Sequence, residues 1–310
     1  HEELPLEIIT MEFSSLVAAL SSGKVDMIAD GIAITEERSK QIDFSDSYVD
    51  FKTAVLALKK NIASYEDEQA GAAVTIPFLQ NIADRFHNNL IHEKRYLLIV
   101  DGLKVTAIIS LVSVVFGTLL GALICFMRMS KNKILVNISR FYISIMRGTP
   151  VLVLLMIIFY VVFASVNVNP VIAAIIAFGA NFAAYVSEMF RTSIESVDKG
   201  QKEAGIAAGF TRVQTFIYII MPQALRHVLP VYKGEFISLV KMTSVVGYIA
   251  VQDLTKASDI IRSRTYDAFF PLIMVAVLYF LLSWSLALVL DYIGFRTDPK
   301  RKRRTRLQQV

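Results

Sequence analysis

Cysteine is almost missing from this chain: Cys125 stands alone in 310 residues, which excludes a disulfide framework and any metal centre built on thiolates. Histidine is nearly as scarce, and His1, His87, His92 and His227 share no spacing that would bring imidazoles to one ion. There is no Gly-rich phosphate loop followed by Lys-Ser or Lys-Thr, and no nucleophile–base constellation. Charge is thin at 19%, below the quarter or so usual in soluble domains, while 55% of the residues are hydrophobic and mean hydropathy is +0.52. That much apolar surface excludes a disordered chain.

What is present is divided in two. The net charge of +5 sums a stretch 1–95 with 9 basic and 16 acidic residues and a stretch 96–310 with 23 and 11. The basic part is also the apolar one, which points to a membrane rather than to nucleic acid. Charge-free windows of 23, 40 and 23 residues lie between Lys104 and Arg128, Arg147 and Glu188, and Asp267 and Asp291. A bilayer core needs roughly 20 helical residues. The outer windows therefore read as single spans, and the middle one as two spans divided at 165–170. A further span is expected within about 228–252, in spite of Lys233, Glu235 and Lys241, whose charges should face protein or an aqueous path.

The loops set the orientation. Arg128, Lys131 and Lys133 follow the first span, the 164–169 connection is uncharged, and seven basic residues stand against Asp298 alone between Arg296 and Arg306. Five spans then place the N-terminus outside and the tail in the cytoplasm. The tail reads as a membrane-flanking cluster, not a nucleic-acid patch. Between 78 and 96, Phe78, Ile82, Phe86 and Leu90 form one apolar stripe. This predicts a short helix on the outer membrane surface or one packed against the spans.

Residues 4–60 alternate apolar runs with polar turns: Leu6–Met11, Val25–Ala29 and Thr53–Leu58 read as strands and Phe13–Ser21 as a helix. The order Phe13–Leu20, Gly23–Arg38 and Ile42–Tyr48 resembles the extracellular solute-binding proteins for polar amino acids over about 4–67. The resemblance implies that Arg38 binds an amino-acid carboxylate, with Gly31, Ala33 and Thr35 beside it; Thr35 as a helix cap and Arg38 paired with Glu36 or Asp43 is the structural alternative. Binding proteins of that kind have two lobes, and the stretch here reaches only toward the second. It is either a fragment with an internal deletion or a remnant that no longer captures solute.

Between the third and fourth spans runs Gly200-Gln201-Lys202-Glu203-Ala204-Gly205-Ile206-Ala207-Ala208-Gly209, followed by Ile220-Met221-Pro222. This resembles the EAA loop of ABC importer permeases, with Glu203, Ala204, Gly209 and Pro222 at matching positions and Gly205 replacing a usual Ala. Arg147–Pro150, Ala184–Arg191, Glu235–Ile237 and Lys241–Ser244 extend the resemblance to the polar amino-acid permeases over about 99–293. The resemblance implies that Glu203, Ala204, Gly205, Gly209 and Pro222 couple the spans to a partner ATPase.

The expected architecture is an all-α polytopic membrane domain, a type I ABC importer permease fold, after a partial α/β binding-protein-like lobe. Its parts are a solute-binding segment at 1–67, a linker with an amphipathic helix at 68–98, the transmembrane permease at 99–295 and a basic tail at 296–310. The resemblance implies a bacterial inner-membrane transport subunit for amino acids, not itself an enzyme. It would work as a homodimeric pair above two ATPase subunits that hold the ATP and Mg; no cofactor, metal or nucleic acid is expected on this chain. Polar residues among apolar ones are the candidates for the solute path: Asn181, Tyr185, Glu188, Glu235, Lys241, Thr243 and Ser244, each equally readable as a helix–helix contact. The alternative function is an amino-acid-gated ion channel or receptor, which predicts a re-entrant pore segment and conductance without ATP.

Overall fold

The computed structural model describes residues 9, 16–28, 43, 85–265, 267 and 269–297. Among the described residues the regular structure is helical. A short α1 (Leu16–Ser21) comes first. A π turn at His87–Ile91 and a 3-10 turn at His92–Lys94 lead into α2 (Tyr96–Arg128). Then come α3 (Lys133–Gly148), α4 (Val151–Ile157, continued by a π turn to Val162) and α5 (Pro170–Glu195). A loop pair, α6 (Lys199–Ala207) and α7 (Arg212–Thr215), precedes α8 (Met221–Met242). The chain closes with α9 (Leu254–Thr265) and α10 (Phe270–Thr297).

Three helices, α2, α5 and α10, are long and apolar enough to cross a membrane. The count rises to five if each of two bent pairs is one span: α3 with the 151–162 helix, bent by 109°, and 212–249 with α9, bent by 55°. The five expected spans correspond to that upper count. The first begins earlier than the charge-free window, because Asp101 and Lys104 pair with each other at 3.0 Å on the exposed side of α2. The fourth needs correction. Its helical stretch ends at Ile249, near the expected bound, and begins earlier than 228; the bent pair adds α9, whose Lys256, Asp259, Arg262 and Arg264 depress its hydropathy while Leu254, Ala257 and Ile261 are buried.

Packing centres on α2 against α5. Their backbones touch through small residues: a Cβ on Gly117 would lie 2.6 Å from the Gly179 carbonyl oxygen, and one on Gly121 2.8 Å from that of Ala183. On the other side, Gly179 receives the Phe116 ring. Ser113 donates to the Ile175 carbonyl at 3.3 Å in the same register, so the two helices run parallel. Without a hydrophobic difference between lipid and side chains, such close approach is the main source of helix adhesion in a bilayer. The cluster built on it holds Ile109, Leu155, Phe159, Phe178, Phe182, Val240, Val246 and Ile249.

One end of this bundle, the turn end, carries residues 163–169, where Asn169 caps α5 by accepting from Val171 N and Pro170 fills its first turn. The junction segment is strapped to this end. Buried Asn89 donates to Asp267 Oδ2 at 3.1 Å and accepts from Thr265 Oγ1, and Phe86 stands edge-on to Phe270. Of the two expectations for 78–96, packing against the spans fits the described part. Desolvation raises the Asp267 carboxyl, but the amides of Phe270 and Phe269, the Asn89 amide and Arg85 outweigh it and hold it below the usual carboxylate range.

The α/β lobe expected at 4–60 is not supported. Of its strands, only Ile9 and Val25–Ile28 fall among the described residues, and they lie in irregular backbone. There Val25 packs on the helical bundle instead of pairing with a neighbouring strand.

Gly121→Leu should remove most folded protein, at a cost of about 3 kcal/mol or more, because backbone sits where the side chain must go; Gly234→Leu, in open space, should leave it unchanged in size-exclusion yield. Because the Asp267 pKa is lowered on folding, its stabilisation holds above the unfolded pKa of about 4 and is lost as pH falls further. Hydrogen exchange at 87–92 should accelerate in that acid range, and Asp267→Asn should bring the fast exchange to neutral pH.

Candidate functional site

The loop joining α5 to α8 is built from caps. Asp198 accepts from Gly200 N at 2.7 Å and starts α6. Gly209, at φ +88°, ends it: Phe210 N reaches Gly205 O at 3.1 Å and Gly209 N reaches Ile206 O at 3.0 Å, the double closure of a Schellman turn. Thr211 then opens α7 with a reciprocal capping box, Gln214 N donating to its hydroxyl and Thr211 N to the Gln214 side chain. Pro222 has no N–H for the Tyr218 carbonyl. The chain takes a π turn over Phe216–Ile220 just before it, with Met221 N on Phe216 O.

These turns fold α6 back on the helix that follows. Gly205 is its buried residue, where an added Cβ would lie 2.7 Å from Thr215 Cγ2 and 2.8 Å from Ile219 Cδ1. Glycine at this position therefore has a steric reason: α6 lies closer to the next helix than an alanine allows. The opposite surface is open. Glu203, Ala204, Ile206, Phe210 and Val213 are all exposed, an apolar surface with one carboxylate on it.

The path candidates separate into two groups. Asn181 is buried and donates to the Met146 carbonyl at 2.6 Å, closing the last turn of α3. Glu188 is held by Arg128 at 3.4 Å and by Arg191 at 2.7 Å, an ion cluster that ties the ends of α2 and α5 together. Thr243 is fully buried and donates to Val240 O. These three serve helix contacts. Tyr185 and Glu235 are half-buried, and Arg147 joins them: its guanidinium lies 5.0 Å from the Tyr185 ring centre, and its charge acts on Glu235. Lys241 is exposed and Ser244 half-buried at the start of a 3-10 stretch, Thr243–Ile249.

Arg147 has a sequence signal, an arginine at the rim of the longest charge-free window. Asp253 has none. It is fully buried, caps α9 through the amides of Lys256 and Thr255, and accepts from Tyr279 at 3.1 Å. Gly31, Ala33, Thr35 and Arg38 lie outside the described residues. Among those described, no group of three or more His, Cys, Asp or Glu is placed to hold a metal.

Residues 113–299 match the family model of the binding-protein-dependent transport system inner membrane component. The chain belongs to this family. A putative glutamine transport system permease protein of Rickettsia felis is 34% identical over 201 residues, covering 64% of this chain and 92% of the relative. The L-cystine transport system permease protein of Bacillus subtilis is 37% identical over 212 residues, covering 68% and 91%. The crystal structure of an amino acid ABC transporter with histidines superposes with a TM-score of 0.61 at 33% identity, over 72% of this permease and 99% of that chain. The family model takes in the loop 196–222 and all of α5, α8 and α9, so the features above belong to the permease's shared part.

Gly209→Ala should cost the loop about 1–2 kcal/mol through the left-handed backbone alone, since nothing crowds its Cβ. Limited proteolysis at 205–211 should become faster while the melting of the helical bundle stays put.

Proposed function

We propose that the chain is the membrane-spanning subunit of an ATP-driven importer for polar amino acids, working by alternating access. The observation that carries this is α6: a short helix seated by Gly205 on the next helix, with Glu203, Ala204 and Ile206 turned outward. Such a helix can enter a groove of a partner and pass the partner's movement on as a rigid-body shift, because its anchor is steric. The ATP and Mg belong to two partner ATPase subunits, and a second permease subunit, a homodimer partner, completes the path. The amino-acid substrate class rests on the resemblance of the whole 99–293 region and on the relatives named above.

The loop then faces the cytoplasm of a bacterium and the turn end faces outward, with the N-terminus outside and the basic tail inside. On this reading Arg147, Tyr185 and Glu235 flank the solute, supplying a cation, an aromatic face and a carboxylate to a zwitterion. The resemblance over about 4–67 makes Arg38 the candidate carboxylate ligand, with Gly31, Ala33 and Thr35 around it.

The channel reading draws on one feature, the 109° bend between α3 and α4, which a re-entrant segment would also show. The composition of α3 speaks for an interfacial helix instead: Lys133, Arg140 and Arg147 lie along it with exposed Ile134, Ile138 and Phe141.

Reconstitution with a matching ATPase decides between them. Glu203→Arg should lower ATP-driven uptake by about tenfold, equivalent to 1.4 kcal/mol of lost coupling, with folded yield unchanged because the side chain is exposed. Uptake untouched by Glu203→Arg together with Ile206→Asp would refute the coupling role. Ion current in a bilayer without ATPase would favour the channel.

A further inference from the structure

Lys24 reaches from the N-terminal segment to the connection between α4 and α5. Its ammonium donates to Phe163 O at 2.7 Å and to Val166 O at 3.0 Å, and it stands 4.8 Å from the centre of the Phe159 ring. The aim of this side chain is fixed locally. Gly23 at φ +68° ends α1, with Lys24 N on Ala19 O at 2.9 Å and Gly23 N on Leu20 O at 3.0 Å, a Schellman turn that sets Lys24 just past the helix. Ala19 is fully buried, and Val25 packs with Phe159, Phe163 and Val168 in the main core.

The receiving surface suits a cation on three counts. Phe163 caps the π turn that continues α4, and the Phe163 and Val166 carbonyls each accept one backbone N–H, from Val166 and Val168, which leaves each a lone pair for the ammonium. The helix dipole favours positive charge at that end. The face of Phe159 adds a quadrupole attraction for an ammonium.

We infer that the α4–α5 turn is the seat on which the N-terminal segment is held to the membrane domain, with Lys24 as its anchor, and that this contact opens and closes during transport. The second half rests on the importer reading. The contact has a polar centre, where water can replace Lys24 on both carbonyls when it lifts, beside the apolar contacts of Ala19 and Val25. The turn also joins the two helices that run to the Arg147–Tyr185 contact, Arg147 just before α4 and Tyr185 on α5. Moving the turn therefore tilts the helices on which that contact is mounted. A load on the N-terminal segment is felt at the solute path.

Thiol cross-linking tests both halves in the full chain in membranes. Cys125 is the sole native thiol and is buried, so a Cys125→Ala background leaves only introduced cysteines. Asp26→Cys with Val166→Cys, which keeps Lys24, treated with a short cleavable bis-thiol reagent, should give roughly ten times the intramolecular product of Asp26→Cys with Ile273→Cys, because proximity sets the effective concentration. Equal yields from the two pairs would overturn the seat. In proteoliposomes with the ATPase, uptake should fall at least about tenfold on cross-linking and return when the reagent is cleaved. Full uptake in the cross-linked protein would overturn the opening step. If neither form takes up amino acid, the importer reading fails, and the cross-link yield still decides the seat.

Discussion

The backbone contact between α2 and α5 is the constraint on which the other elements depend. Lipid chains are as apolar as leucine, so two helices gain little by hiding side chains from them. They gain by approaching until backbones touch, and Gly117, Gly121 and Gly179 remove the side chains that would prevent it. The same small residues decide what fills the remaining space. Phe116 lies over Gly179, Phe182 lies beside Gly117, and Phe182 meets Tyr232 of α8 edge to face at 5.6 Å. Tyr232 in turn shares a hydroxyl contact of 2.6 Å with Thr118 of α2. A third helix is thus oriented by a pair that would not exist if the first two were farther apart.

Both ends of this pair are fastened by polar groups. Towards the loop, Glu188 of α5 meets Arg128 of α2. Towards the turn end, Thr106 of α2 accepts from Leu254 N, and Gly102 lets α2 lie against the Asp253 backbone. Asp253 is the more exacting of the two. A buried carboxylate needs several donors, and it has two amides and the Tyr279 hydroxyl. It closes α9 at the point where Ala250 has taken a left-handed turn at φ 61° after a seven-residue 3-10 stretch. A 3-10 run of that length is poorly bonded and short-lived without support. The break in the fourth span is therefore held from outside, by α2 and α10, more than by its own backbone.

Much of this was legible in the sequence. Charge-free windows located α2, the 151–162 helix, α5 and α10, because burial in lipid forbids unpaired charge whatever the packing. The loop was legible residue by residue, since Gly209 and Pro222 have backbone consequences that no tertiary context removes. The contact of Gly117 with Gly179 is not legible, because pairing across 62 positions leaves no local mark. α9 was missed because its charges average out its buried face. Asn181, Glu188 and Thr243 are polar residues in apolar helices, and composition alone does not tell a helix clasp from a solute contact. That distinction lies in what each side chain touches.

The charges that are not clasped carry the last step. Between helices, opposite charges meet: Glu188 with Arg128 in a part-buried cluster that includes Arg191, and Lys233 with Asp291 at 2.6 Å on the surface. Arg147 and Lys241 are exposed on the subunit and have no ion pair among the described residues. An arginine or lysine facing hydrocarbon costs several kcal/mol, about 2.5–3.5 on insertion scales. Any part of these two charges that lies at hydrocarbon depth therefore needs polar company. The face that carries Arg147 also carries half-buried Tyr185 and, within reach of its charge, Glu235. That face is the one that calls for water or a second subunit.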